Sequence, residues 1–206
     1  STAALFTTNL VKAAPVLVSR EHVKGGTAQV IVVNSGCANA CTGKQGLSDA
    51  KEMGRLTARE MGVGEKLALV ASTGVIGAFL PMPKVRAGIS ELARQVSRSA
   101  GSFSSPPHTA VQESVRAFMT TDTVPKTARQ VLQFGSKRAT ILGCAKGAGM
   151  IAPKMATMLS FILTDAKVSA KTLQKMLKVS AGDSFNILTV DSDTSTNDFV
   201  FLSANG

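Results

Sequence analysis

Residues 146–163, KGAGMIAPKMATMLSFIL, decide how this chain is read. The front half is a glycine-bearing loop with a proline at 153. The back half, from Met158 to Leu163, is an apolar run of strand length and composition. The two meet at Ala156-Thr157, which puts a threonine at the mouth of a buried strand. If the bond before Thr157 breaks, that residue carries a free α-amine beside its own hydroxyl, so nucleophile and base share one residue. An unperturbed α-amine titrates at about 7.7–8.0, which suits a general base near neutral pH. Ala-Thr pairs are common, so the neighbouring residues have to carry the reading.

Outward from this stretch, strand-like runs rich in Val, Ile, Leu and Phe fall at 29–33, 67–71, 139–144, 185–190 and 198–203, and residues 3–8 resemble a strand interior. Helical spacing lies between them. Leu47, Ala50, Met53, Gly54, Ala58 and Met61 share one face, and Val85, Ile89, Leu92 and Val96 share another, with Pro83 suiting a first turn. Further helices are predicted over 109–119 and 170–180. Strands and helices mixed at this density predict an α/β layered sandwich. The serine-rich segment 97–107 reads as an exposed loop.

With 206 residues and 44% hydrophobic content, the chain can bury one sizeable core. The formal charge of +10 comes from scattered Lys and Arg with no Trp or Tyr, which argues against a nucleic-acid interface. Lys171, Lys175 and Lys178 read as a solvated stripe opposite Leu173, Met176 and Leu177. A mild positive field suits small anionic substrates such as amino-acid carboxylates. Cys37, Cys41 and Cys144 are odd in number and form no CxxC pair, which points to reduced thiols in an intracellular compartment. His22 and His108 form no ligand motif, so no metal is expected. The apolar stretch 67–82 is broken by Ser72, Thr73, Gly74 and Gly77 and is too short to span a bilayer; no membrane partner or targeting signal is read.

Four further segments could carry chemistry. VNSGCANACTG at 33–43 and ASTGVIG at 71–77 both follow strands and bring small residues and glycines. Each alone reads more simply as a tight turn, although Thr73 and Gly74 could supply two donors to an oxyanion. MTTDTVPK at 119–126 is either a capped helix end or part of a polar site. Lys146, on what reads as a flexible turn, is either solvated or a carboxylate clamp. DSDTSTND at 191–198 lacks the glycine and glutamate of a calcium loop and reads as a hydrogen-bonded turn.

Together, FTTN (6–9), AAP (13–15), NSGCAN (34–39), STGVIG (72–77), TTDT (120–123), KGAGM (146–150), MATML (155–159) and DTSTND (193–198) are far more specific. In that order they resemble the ornithine acetyltransferase family, also called glutamate N-acetyltransferase, of the cyclic arginine pathway. The resemblance covers essentially the whole chain. It implies an N-terminal-nucleophile-like sandwich with a mixed sheet, and a precursor that cuts itself between Ala156 and Thr157. Residues 1–156 are then the α-chain region and 157–206 the start of the β chain, within one incomplete domain. Thr157 would carry an acetyl group from N-acetylornithine to glutamate. By the same resemblance the Thr73 hydroxyl and Gly74 N–H form the oxyanion hole, and Thr120 and Lys146 bind substrate with Thr157. Lys146 would meet the α-carboxylate, and Thr121 is the alternative to Thr120. No cofactor or metal is implied. Acetyl-CoA serves some members as co-substrate, and two copies of each chain form a heterotetramer. Members of the family continue well past residue 206, so a fragment is expected. The segment 97–107 followed by His108 is similar to the fungal branch, which implies the mitochondrial matrix, with the cytoplasm as alternative. Two other functions stay open: an amidase or aminopeptidase with a self-generated nucleophile, and an inactive domain that only packs with partners.

Overall fold

The computed structural model describes residues 1–99, 108–150, 158–191 and 193–206. Seven strands and five helices follow one another as β1 (Thr2–Phe6), α1 (Ala14–His22), β2 (Val30–Asn34), α2 (Gly43–Glu60), β3 (Ala68–Ser72), α3 (Met82–Ser99), α4 (His108–Phe118), β4 (Lys126–Phe134), β5 (Lys137–Lys146), β6 (Leu159–Thr164), α5 (Ala170–Gly182) and β7 (Phe199–Ala204). Five strands make a mixed sheet in the order β1-β7-β6-β5-β4, and β2 and β3 make a separate parallel pair. In the larger sheet only β6 and β7 run parallel.

Strand alternation divides the interior into layers. Leu69 and Ala71 of β3, Phe199 and Phe201 of β7, Leu159 of β6 and Ala4 of β1 turn inward between the two sheets, joined by Phe6 and Phe161. The rings interlock there: Phe6 stacks on Phe199 at 5.1 Å between centroids, and Phe161 meets Phe199 edge-on at 6.0 Å. The alternate residues Ala3, Val200 and Ala204 face α5, where Leu173 and Leu177 cover them. Val70 points the other way, into a core made with Ala14 and Val18 of α1, Ala50 and Met53 of α2 and Ile89 of α3. The result is helices, two sheets and a helix in four layers, the α/β sandwich that the sequence predicts.

Side chains close two strand edges that would otherwise expose unpaired backbone. On β3, the buried Ser19 hydroxyl of α1 donates to Val70 O at 2.6 Å and accepts from Val70 N–H at 2.8 Å. His22 bonds Ala68 O through Nδ1 at 2.8 Å. On β1, the Gln174 amide of α5 accepts from Ala4 N–H at 3.2 Å and donates to Ala4 O at 3.1 Å.

Several sequence expectations need correction. The run 185–190 is no strand: Phe185–Ile187 form a short 3-10 turn, and Ile187, Leu188 and Val190 are exposed. Only Phe185 packs back, against the α5 core. The buried face of α5 is Leu173, Leu177 and Ala181, one residue every turn, while Met176 is 53% exposed. Residues 97–99 belong to α3 rather than to a loop, and 100–107 lie outside the described residues. Two elements lie outside the expected strands and helices. Helix α1 has Pro15 in its first turn and buries Ala14, Val16 and Val18, while β4 is mostly exposed and polar. The pairing of Phe134 with Lys137 sets the register of β4 against β5 across the Gly135-Ser136 turn, with Gly135 at φ +60°.

Candidate active site

The site forms where the loops after β2 and β3 meet the ends of β5 and α4. The two loops zip together: Ala38 N–H donates to Val75 O at 2.9 Å, Val75 N–H to Gly36 O at 3.2 Å, and Thr73 N–H to Asn34 O at 3.1 Å. This crossing is close enough to require glycine at 74. Its φ is +128°, and a Cβ there would lie 2.3 Å from Gly36 C and 2.6 Å from Cys37 N. The glycine places Thr73 at the rim of a cavity of about 710 Å³, whose lining includes Gly74, Thr120, Thr121, Lys146 and Ser195.

Lys146 is the last residue of β5, held by pairing with Leu159 of β6, not a member of a flexible turn. It is 4% exposed, and Nζ donates to Thr73 Oγ1 at 2.9 Å and to Thr120 Oγ1 at 2.8 Å. Burial pulls its pKa below the usual lysine value, with Asp122 and Asp198 opposing. Because Thr73 Oγ1 accepts from Lys146, the threonine's own proton is left to donate elsewhere.

The segment after α4 supplies Asp122, whose side chain is fully buried. It accepts from Gly147 N–H at 2.7 Å and from Lys126 Nζ at 2.6 Å. Burial pushes its carboxyl up, but hydrogen bonds from Lys126, Gly147 and Thr120 outweigh that and hold it below the ordinary aspartate value. Asp122 thus pins the start of the glycine loop, and Asp191 pins Met150 N–H at 2.6 Å. Ser35 Oγ donates to Met119 O at 3.0 Å, fastening the end of α4 to the loop after β2.

Residues 195–198 form the floor. Asn197 Nδ2 donates to Ala38 O at 2.7 Å and to Ser72 O at 2.9 Å, bridging both loops, while its own N–H bonds Ser195 Oγ at 3.1 Å. Asp198 is fully buried, and its Oδ1 accepts the Met158 N–H at 3.1 Å. Burial pushes its carboxyl up to about 8, against the pull of Met158, the Ser195 and Thr7 hydroxyls and Lys146. Side-chain bonds hold the described residues of the stretch 191–198: Asp193 N–H donates to Asp191 Oδ1 at 3.3 Å, as Asn197 N–H does to Ser195 Oγ. Among the described residues no group of three or more His, Cys, Asp or Glu could hold a metal ion.

Thr73, Gly74, Thr120 and Lys146, predicted from separate motifs, line one cavity, and Thr121 lines it too. The bonds from Lys146 reach Thr120, and none is made to Thr121 among the described residues. Ala156 and Thr157 lie outside the described residues. Sequence reasoning passed over Asp122, Asn197 and Asp198. All three stand inside quoted motifs, and Asp198 carries a local signal, an aspartate opening an apolar strand, where burial makes a carboxylate costly.

The model of the ArgJ family matches residues 1–206, the entire chain. The chain belongs to the ArgJ family. Its curated relatives include the arginine biosynthesis bifunctional protein ArgJ of Symbiobacterium thermophilum, 50% identical over 204 residues, and that of Thermotoga neapolitana, 48% identical over 206. Each alignment takes in 99% of this chain but 48% and 49% of the relative, so the chain spans about half the length of the curated relatives it matches. Among solved structures, ArgJ from Bacillus halodurans is similar with TM-score 0.63 and 37% identity, over 77% of this chain and 76% of that one. The ornithine acetyltransferase of Mycobacterium tuberculosis, complexed with ornithine, gives 0.61 and 32%, over 76% of each. These ArgJ relatives are bacterial, so they lend no support to the fungal and mitochondrial expectation.

Proposed function

We propose that this chain carries the acyl-transfer machinery of a glutamate N-acetyltransferase of arginine biosynthesis, which severs its own backbone between Ala156 and Thr157. In the first step the Thr157 hydroxyl attacks the Ala156 carbonyl and the peptide C–N bond breaks, leaving an ester and a free amine. Water then opens the ester, giving an Ala156 carboxylate and a Thr157 whose amine can take up its hydroxyl proton. In turnover Thr157 Oγ attacks the acetyl carbonyl of N-acetylornithine. Ornithine leaves with the proton, and the amine of glutamate collects the acetyl group.

The observation that carries this reading is the convergence of Thr73, Gly74, Thr120 and Lys146 on one cavity. Thr73 has its acceptor side occupied by Lys146, so its hydroxyl is free to donate to an oxyanion beside Gly74. Lys146, held between two threonines, supplies the positive charge for an α-carboxylate. The cycle needs no cofactor, because the acetyl group rides on Thr157; acetyl-CoA enters only as a second acetyl donor. We place the reaction in the cytoplasm and assign the working form two copies of each cleaved chain.

The test is Thr157→Ala in the full-length protein. Intact mass should show wild type as two chains meeting at 156 and 157, with the variant uncut. Given N-acetylornithine and glutamate, wild type should form acetylglutamate and the variant none. Free acetate alone from wild type would instead mark an amidase, and normal transfer by the variant would remove Thr157 from the reaction.

A further inference from the structure

Behind the main cavity lies a second space of about 10 Å³, lined by Thr73, Lys146, Met158, Leu159, Ser195, Asn197 and Asp198. That is on the order of one water, and its wall offers several polar partners. Asp198 contributes an orphan to it. Its side chain is fully buried, its Oδ1 takes the Met158 N–H, and its Oδ2 has no hydrogen-bond partner among the described residues. Of the nearby hydroxyls, Thr7 donates to Ser195 O at 2.6 Å, while Ser195 Oγ accepts from Asn197 N–H and keeps its own proton. A buried carboxylate oxygen with a full charge and no donor is costly, whereas a protonated one becomes a donor and can be satisfied by water. Lys146 points into the same space with two of its three N–H groups committed to threonines.

We propose that Asp198 is the positioning residue of the reaction centre, acting as a neutral acid whose Oδ1 fixes the backbone just after Thr157 and whose Oδ2–H donates to a buried water shared with Thr73. The water accepts from Asp198 and donates to Thr73 Oγ1 and Ser195, which leaves the third Lys146 N–H for the substrate carboxylate. One side chain thereby couples the location of the nucleophile, through Met158 N–H, to the orientation of the oxyanion donor. Burial pulls the Asp198 carboxyl towards the neutral form, in keeping with this arrangement. The role rests on Thr157 being the nucleophile, as proposed above.

The experiment compares full-length wild type, Asp198→Asn and Asp198→Val. Asparagine reproduces the hydrogen-bonding pattern of the neutral acid, while valine keeps the volume and removes both bonds. With valine, self-cleavage and kcat are expected to fall by roughly 10²-fold, the scale of a misplaced reacting group, with KM for N-acetylornithine little changed. Asparagine should rescue most of both rates. Valine at wild-type rates, or asparagine as slow as valine, overturns the proposal. If the valine variant does not fold, infrared difference spectra of wild type against Asp198→Asn decide. A protonated-carboxyl band at neutral pH that the variant lacks supports the assignment, and its absence overturns it. A wild type that neither cleaves nor transfers defeats the proposed function instead, and the infrared result still judges Asp198.

Discussion

Gly74→Ala puts the crossing of the two loops to its most direct test. The alanine Cβ would sit 2.3 Å from Gly36 C and 2.6 Å from Gly36 O and Cys37 N, all backbone atoms that no rotamer change can move. Strain for a side chain at φ +128° adds about 1–3 kcal/mol, and relieving the overlap by shifting the loop adds roughly 1–3 kcal/mol more. The sum, about 2–6 kcal/mol, is a large part of the stability of an ordinary domain. Gly77 provides the control: its φ is +83°, yet a Cβ there meets nothing within 4 Å, so Gly77→Ala bears the strain alone. Urea unfolding of both variants at pH 7 should place Gly74→Ala lower by about 1–3 kcal/mol, roughly a 1 M shift in midpoint. Equal midpoints would refute the argument that backbone contact, and not conformation alone, demands glycine at 74.

Other consequences are as specific. Thr73→Ala should lower kcat by roughly 10²–10³ if its hydroxyl faces the oxyanion, and an unchanged kcat would exclude that role. Asn197→Ala strands the carbonyls of Ala38 and Ser72 and should cost about 2–4 kcal/mol by chemical denaturation; a loss under ~0.5 kcal/mol would show that the bridge is dispensable. Asp198 makes stability depend on pH. Burial pushes its carboxyl up to about 8 in the fold from the ordinary aspartate value of 3.8, so the fold keeps a proton that the unfolded chain releases. That contribution is full below about pH 4 and is lost as pH rises through about 8. Wild type should therefore lose stability relative to Asp198→Asn between pH 5 and 8, read as a urea midpoint that falls steadily against that of the variant; a constant difference would contradict the raised pKa.

Most of the layered core could be read in the chain because its strands alternate cleanly: Leu69 and Ala71 against Val70, Phe199 and Phe201 against Val200. What escaped was either too polar or too apolar for pattern reading. Strand β4 is set by its hairpin with β5 and not by burial, so its own residues are mostly exposed. The run 185–190 has strand composition but no neighbour with which to pair. In the site, Thr73, Gly74, Thr120 and Lys146 stood in motifs whose small residues mark close approach. Asp122, Asn197 and Asp198 act from behind, through backbone bonds to segments 25–159 positions away in sequence. Such pairings leave no local spacing to find.

The larger sheet has a topological consequence for a nicked molecule. Its five strands come from both sides of residue 157: β1, β5 and β4 from before it, and β7 and β6, side by side between them, from after it. A cut there frees a covalent joint but releases neither piece, because the later pair is clasped on one edge by β1 and on the other by β5. Unfolding such a pair would turn a first-order recovery into a second-order one: dilution should slow reassembly of the halves, while an uncut Thr157→Ala chain would regain its shape at a rate indifferent to concentration.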